Sequence, residues 1–345
     1  MRRKALTALL LAVLCVITLT ITVNSGRAQW AEFESPNQRD LHLVKSVAQL
    51  QDIEPTVTTH CALQPESSKS PSTIARSKQR NLLNSTAPIT LERFRQLQPA
   101  SSAKDENSGE KISAQSVQSA RSYVPREEIA LIHPTNYGDR FLLDIQGNPT
   151  DLTPIVVLHE TVGSANGTIN FFRTPHPRDE DQASYHILIR QNGTIVYLVP
   201  PDKRAFGAGN SVFVGTNGPE AVKTHPSFPA SVNNFAYHIS LETPPDGYHN
   251  SYTHSGYTTS QYQSLAWLVS KTGVPDNRIT THKAVDRSGQ RMDPRSFSFS
   301  KFFKLLQTQT KTTEIAIRCT PPPDAPQSKA PVKQAKATSI NIQGR

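Results

Sequence analysis

Two histidines and one aspartate occupy positions from which they could share a metal ion. His159 follows the apolar run 155–158, and His282 follows residues 278–281, so we expect each histidine at the carboxyl end of a strand. Functional sites cluster at that end of an open α/β sheet, where the loops diverge. Asp293 comes eleven residues after His282, directly before a proline. Two imidazoles and one carboxylate suit a catalytic zinc ion that keeps its fourth position for water, so the pattern predicts such a site.

Three strand signals surround these residues. Positions 155–158 are all apolar and three of the four are β-branched, which is typical of a strand buried on both faces. Residues 236–242 are predicted to form a strand, because from 237 onward apolar odd-numbered residues alternate with polar even-numbered ones on its two faces. The Asn-Gly pair at 192–193 separates the apolar runs 184–189 and 194–199, and this is the strongest short signal for a β-hairpin.

Helices are predicted between and after these strands. The clearest spans 259–272, where Thr258 and Gln261 form a capping-box pattern and Gly273 follows as a stop signal. A second spans 298–307, with phenylalanines and leucine at helical spacing, and a short one is expected around 169–172. These elements predict one compact domain over residues 125–310.

Composition separates this domain from long flanks. The flanks are residues 29–124 and 311–345. Within them, a short helix is predicted around 41–50, residues 62–123 are rich in Ser, Gln, Lys and Pro without a sustained hydrophobic period, and Pro and Lys dominate from Cys319 onward. Such segments bury too little apolar area to offset the entropy of ordering. We therefore predict a largely disordered tether before the domain and a disordered tail after it.

The first 28 residues are typical of an export signal. Basic residues 2–4 precede the apolar run 5–23, and small residues lead to Ala28 as a cleavage site. Cleavage with secretion and an uncleaved membrane anchor through 5–23 both stay open, because the run is just long enough to span a bilayer. Either outcome predicts a secreted, periplasmic or cell-envelope protein. Cys61 and Cys319 would remain, either paired in an oxidising compartment or as two free thiols.

The net charge of +9 includes four positive charges in this leader. The remaining mild excess fits a polyanionic surface such as a cell wall, and it equally fits a solvated basic surface. It is too small to indicate a nucleic-acid partner, and no nucleic-acid-binding motif accompanies it.

Five short motifs together resemble the type 2 N-acetylmuramoyl-L-alanine amidases, which share a fold with the peptidoglycan recognition proteins. In order, they are Leu-His-Glu-Thr at 158–161, Ser-Tyr-His-Ile-Leu-Ile at 184–189 with Asn-Gly-Thr-Ile at 192–195, Ile-Ser-Leu-Glu at 239–242, Thr-His at 281–282 and Arg-Met-Asp-Pro at 291–294. The resemblance covers residues 150–306. It implies an α/β (α+β) fold with a central mixed β-sheet flanked by helices, and a groove in which His159, His282 and Asp293 bind Zn²⁺.

The resemblance also implies a monomeric hydrolase that cuts the amide bond between N-acetylmuramic acid and L-alanine in peptidoglycan or muropeptides. Glu242 matches the family's acid at a strand end, which could take a proton from water and deliver it to the leaving amine. Tyr185 matches a tyrosine near the zinc, which could hydrogen-bond the water or the oxyanion. Arg291 stands where family members usually carry Lys, and it could stabilise the oxyanion but cannot give up a proton.

Each assignment has a structural alternative. Glu242 could be an exposed charge at a strand end, and Tyr185 a half-buried strand residue. Glu160 replaces a histidine found in many members, and it is either a partner of a ligand imidazole or, as we favour, solvent-facing. Residues 205–209 lack the family's common Trp-His pair, which puts substrate preference in doubt. The rival function is a peptidoglycan-binding module without catalysis.

Overall fold

The structure, a computed structural model, describes residues 60–65, 89–96 and 123–321. The strands are β1 (Glu127–Ile129), β2 (Tyr137–Asp139), β3 (Ile155–Glu160), β4 (Ile187–Ile189), β5 (Ile195–Tyr197), β6 (Lys203–Ala205), β7 (Phe213–Gly215), β8 (Gly218–Glu220), β9 (Ala236–Leu241) and β10 (Ile279–Thr281). The α-helices are α1 (Ala165–Arg173), α2 (Thr259–Ser270), α3 (His282–Val285) and α4 (Phe299–Leu306). Short 3-10 turns cover Leu91–Arg93, Pro134–Asn136, Asp179–Asp181, Pro245–Gly247 and Asp276–Arg278.

A six-stranded mixed sheet forms the centre of the domain, as predicted. Its strand order is β1-β5-β4-β9-β3-β10. β3 pairs in parallel with both β9 and β10, and β4 pairs in parallel with β9 but antiparallel with β5. Every residue of β3 and β9 is buried, because helices and loops cover both faces of the sheet. The carboxyl ends of four parallel neighbours, β4, β9, β3 and β10, therefore meet at one edge.

The β4–β5 hairpin confirms the prediction from the Asn-Gly pair. Ile189 pairs with Ile195 across the turn, and Gly193 has a φ of 86°. A Cβ atom at Gly193 would also lie 2.9 Å from the Cβ of Ser260 on α2. Both the left-handed backbone and the close approach of α2 therefore require glycine at this position.

The helices sort onto the two faces of the sheet. α2 and α4 pack over one face, where Leu265 and Phe302 join a cluster with Leu158 and Ile239. α1 packs over the other face, where Phe172 lies with Leu188 and Val196. The predicted capping box is present, since the Thr258 hydroxyl accepts from the backbone of Gln261 and the Gln261 side chain accepts in return.

One segment inside the predicted tether packs on the domain. Phe94 is fully buried, and its ring lies 4.9 Å from that of Tyr197. On either side of it, Arg93 pairs with Asp202 at 2.5 Å and Arg95 pairs with Glu127 at 2.8 Å. A single aromatic residue between two arginines gives no hydrophobic periodicity. The composition of the segment therefore did not predict this contact.

The domain also continues past the predicted boundary at 310. Ile315 and Ile317 are buried in the main core, and the Ile315 amide donates to the Lys271 carbonyl at 2.9 Å. Cys319 forms a disulfide with Cys61, whose Cα atom lies 5.0 Å away. Of the two states left open for these cysteines, the structure contains the pair, and the disulfide joins both flanks to each other.

The predicted leader and most of the predicted tether and tail lie outside the described residues. Among the described residues, no helix is both long enough and apolar enough to cross a membrane. The prediction of a leader that is either cleaved or retained as an anchor therefore stays a prediction.

Candidate metal centre

His159 lies near the carboxyl end of β3, on the sheet face that α1 covers. The ring is completely buried, and its Nδ1 atom lies 3.2 Å from Oδ2 of Asp293. The strand runs one residue further than predicted and ends at Glu160. Because successive strand residues point to opposite faces, His159 and Glu160 enter different environments.

His282 is brought beside His159 by the parallel pairing of β10 with β3. Thr281 pairs with Leu158, and the residue that follows each of them in the chain is a histidine, so the two rings lie 4.6 Å apart. The strand ends at Thr281 rather than at His282, which begins α3. The Thr281 hydroxyl caps this short helix by accepting from the Ala284 amide at 3.1 Å.

Asp293 reaches both histidines from the loop after α3. The Lys283 amide donates to the Asp293 carbonyl at 3.0 Å, and the side chain of Asp286 accepts from the amides of Gln290 and Arg291. These bonds fold the loop back on itself. The Asp293 carboxylate then lies 3.1 Å from Nδ1 of His282.

The three predicted ligands form one group that could hold a metal ion. One ligand atom from each residue lies within 4.8 Å of the others. Burial lowers the pKa of His159 to about 4, and hydrogen bonds from the two histidines hold the pKa of Asp293 below its usual value against the opposing effect of burial. A neutral imidazole and an ionised carboxylate are the forms that coordinate a cation, so these residues fit zinc.

Tyr185 borders this group of three residues. Its ring lies 4.7 Å from that of His159 and 5.3 Å from that of Phe172 on α1. Burial raises the pKa of the phenol well above its ordinary value, so the hydroxyl stays protonated near neutral pH. Tyr185 can therefore donate a hydrogen bond at the site but cannot serve as a base there.

Arg291 is exposed on the loop that carries Asp293. Besides burial, its positive charge lowers the pKa of His159, and it opposes the rise in the pKa of Tyr185. The role predicted for Arg291 at the oxyanion stays a prediction.

Glu242 occupies a different place from the one expected of a general base. One carboxylate oxygen accepts from the Ala165 amide at 2.8 Å, and the other accepts from the Gln191 amide at 2.9 Å. Ala165 begins α1, so the carboxylate lies at the positive end of that helix. The strand residue paired with His159 is instead Ser240, two positions earlier.

Glu160 is neither solvent-facing nor a partner of a ligand imidazole, so both expectations for it are wrong. Its side chain is fully buried, and Oε1 accepts from Nε of Arg295 at 2.6 Å. Oε2 lies 3.0 Å from Nε2 of His254 and accepts from the Tyr257 hydroxyl at 3.2 Å. Arg295 also donates to the Gly247 carbonyl, so this network attaches the loop 244–257 to the ends of β3 and the Asp293 loop.

His238 is a site residue that the sequence analysis missed. It is completely buried, and its Nδ1 atom lies 3.0 Å from Nε2 of His159. The alternation along β9 predicted which residues lie on the same face as His238. It did not predict the contact of His238 with His159 on β3, because that contact depends on strand register, which the sequence does not reveal.

Comparisons with known proteins extend over this same region. The family model described as N-acetylmuramoyl-L-alanine amidase matches residues 149–296, an interval that contains all three predicted ligands. No curated protein sequence matches the chain.

Several solved structures resemble the domain. A selenomethionine derivative of AmpD is 24% identical over 54% of this chain and 97% of that chain, with a TM-score of 0.38. AmpD of Citrobacter freundii is 25% identical over 54% of this chain and 93% of that chain, with a TM-score of 0.33. AmpDh3 of Pseudomonas aeruginosa, solved in complex with an anhydromuramic pentapeptide, is 18% identical over 56% of this chain and 66% of that chain, with a TM-score of 0.33.

Proposed function

Because residues 149–296 form a domain of the type 2 N-acetylmuramoyl-L-alanine amidase family, the protein is a peptidoglycan amidase, and we propose that it works with zinc. The bond it cuts would be the amide between N-acetylmuramic acid and L-alanine of the stem peptide. The observation that carries the proposal is the group of His159, His282 and Asp293, whose ligand atoms lie within 4.8 Å of one another.

Zinc held by these three side chains would act as a Lewis acid toward the amide carbonyl and would make bound water more acidic. Two of the protein's own residues would then stabilise the oxyanion. Tyr185 keeps its proton and can donate a hydrogen bond to the oxyanion, beside the ring of His159. Arg291 adds a positive charge near the same place, and such a charge stabilises a tetrahedral oxyanion.

We assign Glu242 to holding α1 rather than to proton transfer. Both of its carboxylate oxygens accept backbone N–H groups, and Glu160, the other strand-end acid, is bound to Arg295. Within the described residues, the acid that lies against the two histidines is Asp293, which the proposal uses as a ligand. The site thus relies on the metal and on the donors Tyr185 and Arg291.

We also propose that the protein works in the cell envelope or outside the cell. The disulfide between Cys61 and Cys319 suits an oxidising compartment. The basic and apolar leader of the chain is of the kind that directs export.

The test combines metal analysis with product analysis on one sample. Full-length protein is stripped with a chelator, reloaded with zinc, and mixed with purified peptidoglycan, and released stem peptides are identified by mass spectrometry. We expect one zinc per chain and peptide release only from the zinc-loaded form. Asp293→Ala should lose both, whereas the matched control Asp276→Asn, at an exposed ion pair, should keep both.

Two results would contradict the proposal. Full zinc binding and full activity in the Asp293→Ala variant would remove the ligand assignment. Stoichiometric zinc and peptidoglycan binding without any released stem peptide would indicate a recognition module instead.

A further inference from the structure

Two histidines lie side by side behind the predicted metal ligands. His238, on β9, and His186, directly before β4, are both completely buried. Their rings stack with centroids 5.7 Å apart and planes within 10° of parallel. The amidase proposal gives a role to neither, although burial of two imidazoles needs a reason.

The contact between His238 and His159 lies on the side of the His159 ring away from the carboxylate. Nδ1 of His159 faces Asp293, and Nε2 of His159 faces Nδ1 of His238 at 3.0 Å. A neutral imidazole carries one proton, so a histidine that binds a metal through Nδ1 must carry its proton on Nε2. That proton then points at His238.

The surroundings hold the His238 ring in place to accept this proton. Its backbone amide donates to Nδ1 of His186 at 3.0 Å, so His186 carries its proton on Nε2, which lies 3.1 Å from the Lys203 carbonyl. On the other side, a Cβ atom at Gly207 would lie only 2.5 Å from Nδ1 of His238. The ring therefore occupies space that exists because residue 207 is glycine.

The remaining nitrogen of His238 has no competing role. Nε2 is buried and has no hydrogen-bond partner within the described part of the chain. A buried polar atom without a partner destabilises a protein, so packing alone would favour an apolar residue here. Within residues 60–65, 89–96 and 123–321, the His238 side chain makes one hydrogen bond, to His159.

We propose that His238 is a positioning residue for the metal centre: it accepts the Nε2–H of His159 and so directs the Nδ1 lone pair toward the ion. The inference rests on the proposed zinc site. Partners of this kind fix the tautomer and orientation of a ligand imidazole, and their loss typically weakens metal binding by about 10- to 100-fold.

The test uses two substitutions of similar size, of which only one supplies a hydrogen-bond acceptor. In His238→Asn the amide oxygen is as many bonds from the backbone as Nδ1, so it can still accept from His159, whereas His238→Leu cannot. The zinc dissociation constant is measured on the full chain by competition with a chromophoric chelator, and melting of the metal-free protein is followed separately. Nitrogen NMR of zinc-loaded wild type reports which ring nitrogen of His159 carries the proton.

We expect His238→Leu to raise the zinc dissociation constant by about 10- to 100-fold and His238→Asn to stay within about threefold of wild type. Both variants should still unfold cooperatively without metal, and His159 of the zinc-loaded wild type should be protonated on Nε2. Equal losses in both variants, or no loss in either, would overturn the inference. Absence of zinc from the wild type would instead overturn the proposed function.

Discussion

The buried ion pair between Glu160 and Arg295 offers a demanding test, because it joins the two segments that carry His159 and Asp293, two of the proposed ligands. Glu160 follows His159, and Arg295 comes two residues after Asp293. The side chains are 0% and 2% exposed, and Nε of Arg295 lies 2.6 Å from the carboxylate. Further donors to the same carboxylate are the Arg295 amide, Nη2 of Arg295, the Thr243 hydroxyl, His254 and the Tyr257 hydroxyl.

Glu160→Gln removes the negative charge while keeping the size of the side chain. It leaves Arg295 buried without a counter-charge and places an amide N–H₂ among groups that all donate. Breaking a buried pair in this way costs about 3–5 kcal/mol. For a domain of about 200 residues, that lowers the melting temperature by roughly 6–20 °C. We also expect weaker zinc binding, because the chain flanking His159 and Asp293 loses its common attachment.

The assay is thermal unfolding of the metal-free and zinc-loaded protein, with Asp276→Asn as the matched control. That substitution also turns a carboxylate into an amide, but its partner Lys311 is 52% exposed, so its melting temperature should not change measurably. The double variant Glu160→Gln with Arg295→Met should recover part of the loss, since no unpaired buried charge remains. If the Glu160→Gln variant has the same melting temperature as the wild type, the ion pair does not stabilise the segments around His159 and Asp293, and the reasoning fails.

Three further predictions concern the parts that support the site. Reducing the Cys61–Cys319 disulfide should lower the free energy of unfolding by about 2–5 kcal/mol, because it closes a long loop in the unfolded chain; an unchanged urea midpoint in reductant would contradict this. Glu242→Gln should lower stability by about 1–2 kcal/mol by weakening the start of α1, with the zinc dissociation constant unchanged; normal stability with lost activity would restore the role of a general base. Burial alone would raise the pKa of Glu314, but hydrogen bonds from Lys271 and Thr312 bring this pKa below its ordinary value of 4.5. The ionised Glu314 therefore stabilises the folded protein above pH 4.5, and this contribution is lost as the pH falls further. Urea midpoints of Glu314→Gln and wild type should therefore converge in acid, and a constant difference would refute the assignment.

The elements of this fold were predictable where local chemistry decides them. The Asn-Gly turn, the capping box at Thr258 and the apolar run before His159 each act over a few residues, and each appears in the structure. The sequence also predicted that His159, His282 and Asp293 lie close together, because strand ends and a following loop bring such residues to one edge of a sheet. The roles of Glu242 and Glu160 were not predictable, since both depend on partners far away in sequence: Ala165 and Arg295.

The packing of residues from the two flanks on the domain was not predicted, for a related reason. Composition identifies segments that cannot form a core of their own, but it does not show whether one residue of such a segment can join a core built elsewhere. Phe94 and Ile315 do this, and charged neighbours hold them there: Arg95 pairs with Glu314 at 3.1 Å. The segment before the domain and the segment after it therefore stabilise each other on the sheet.

Strand register explains why the candidate metal centre depends on several strands of the sheet. β3 lies between β10, which brings His282 beside His159, and β9, which brings His238 behind it. A one-residue slip of β9 would turn Tyr237 or Ile239 toward His159 and place His238 in the opposite core. The face of β9 that packs on α2 is apolar, so the burial of Tyr237, Ile239 and Leu241 fixes the register. The hydrophobic core thereby determines which polar residues lie next to the proposed metal ligands.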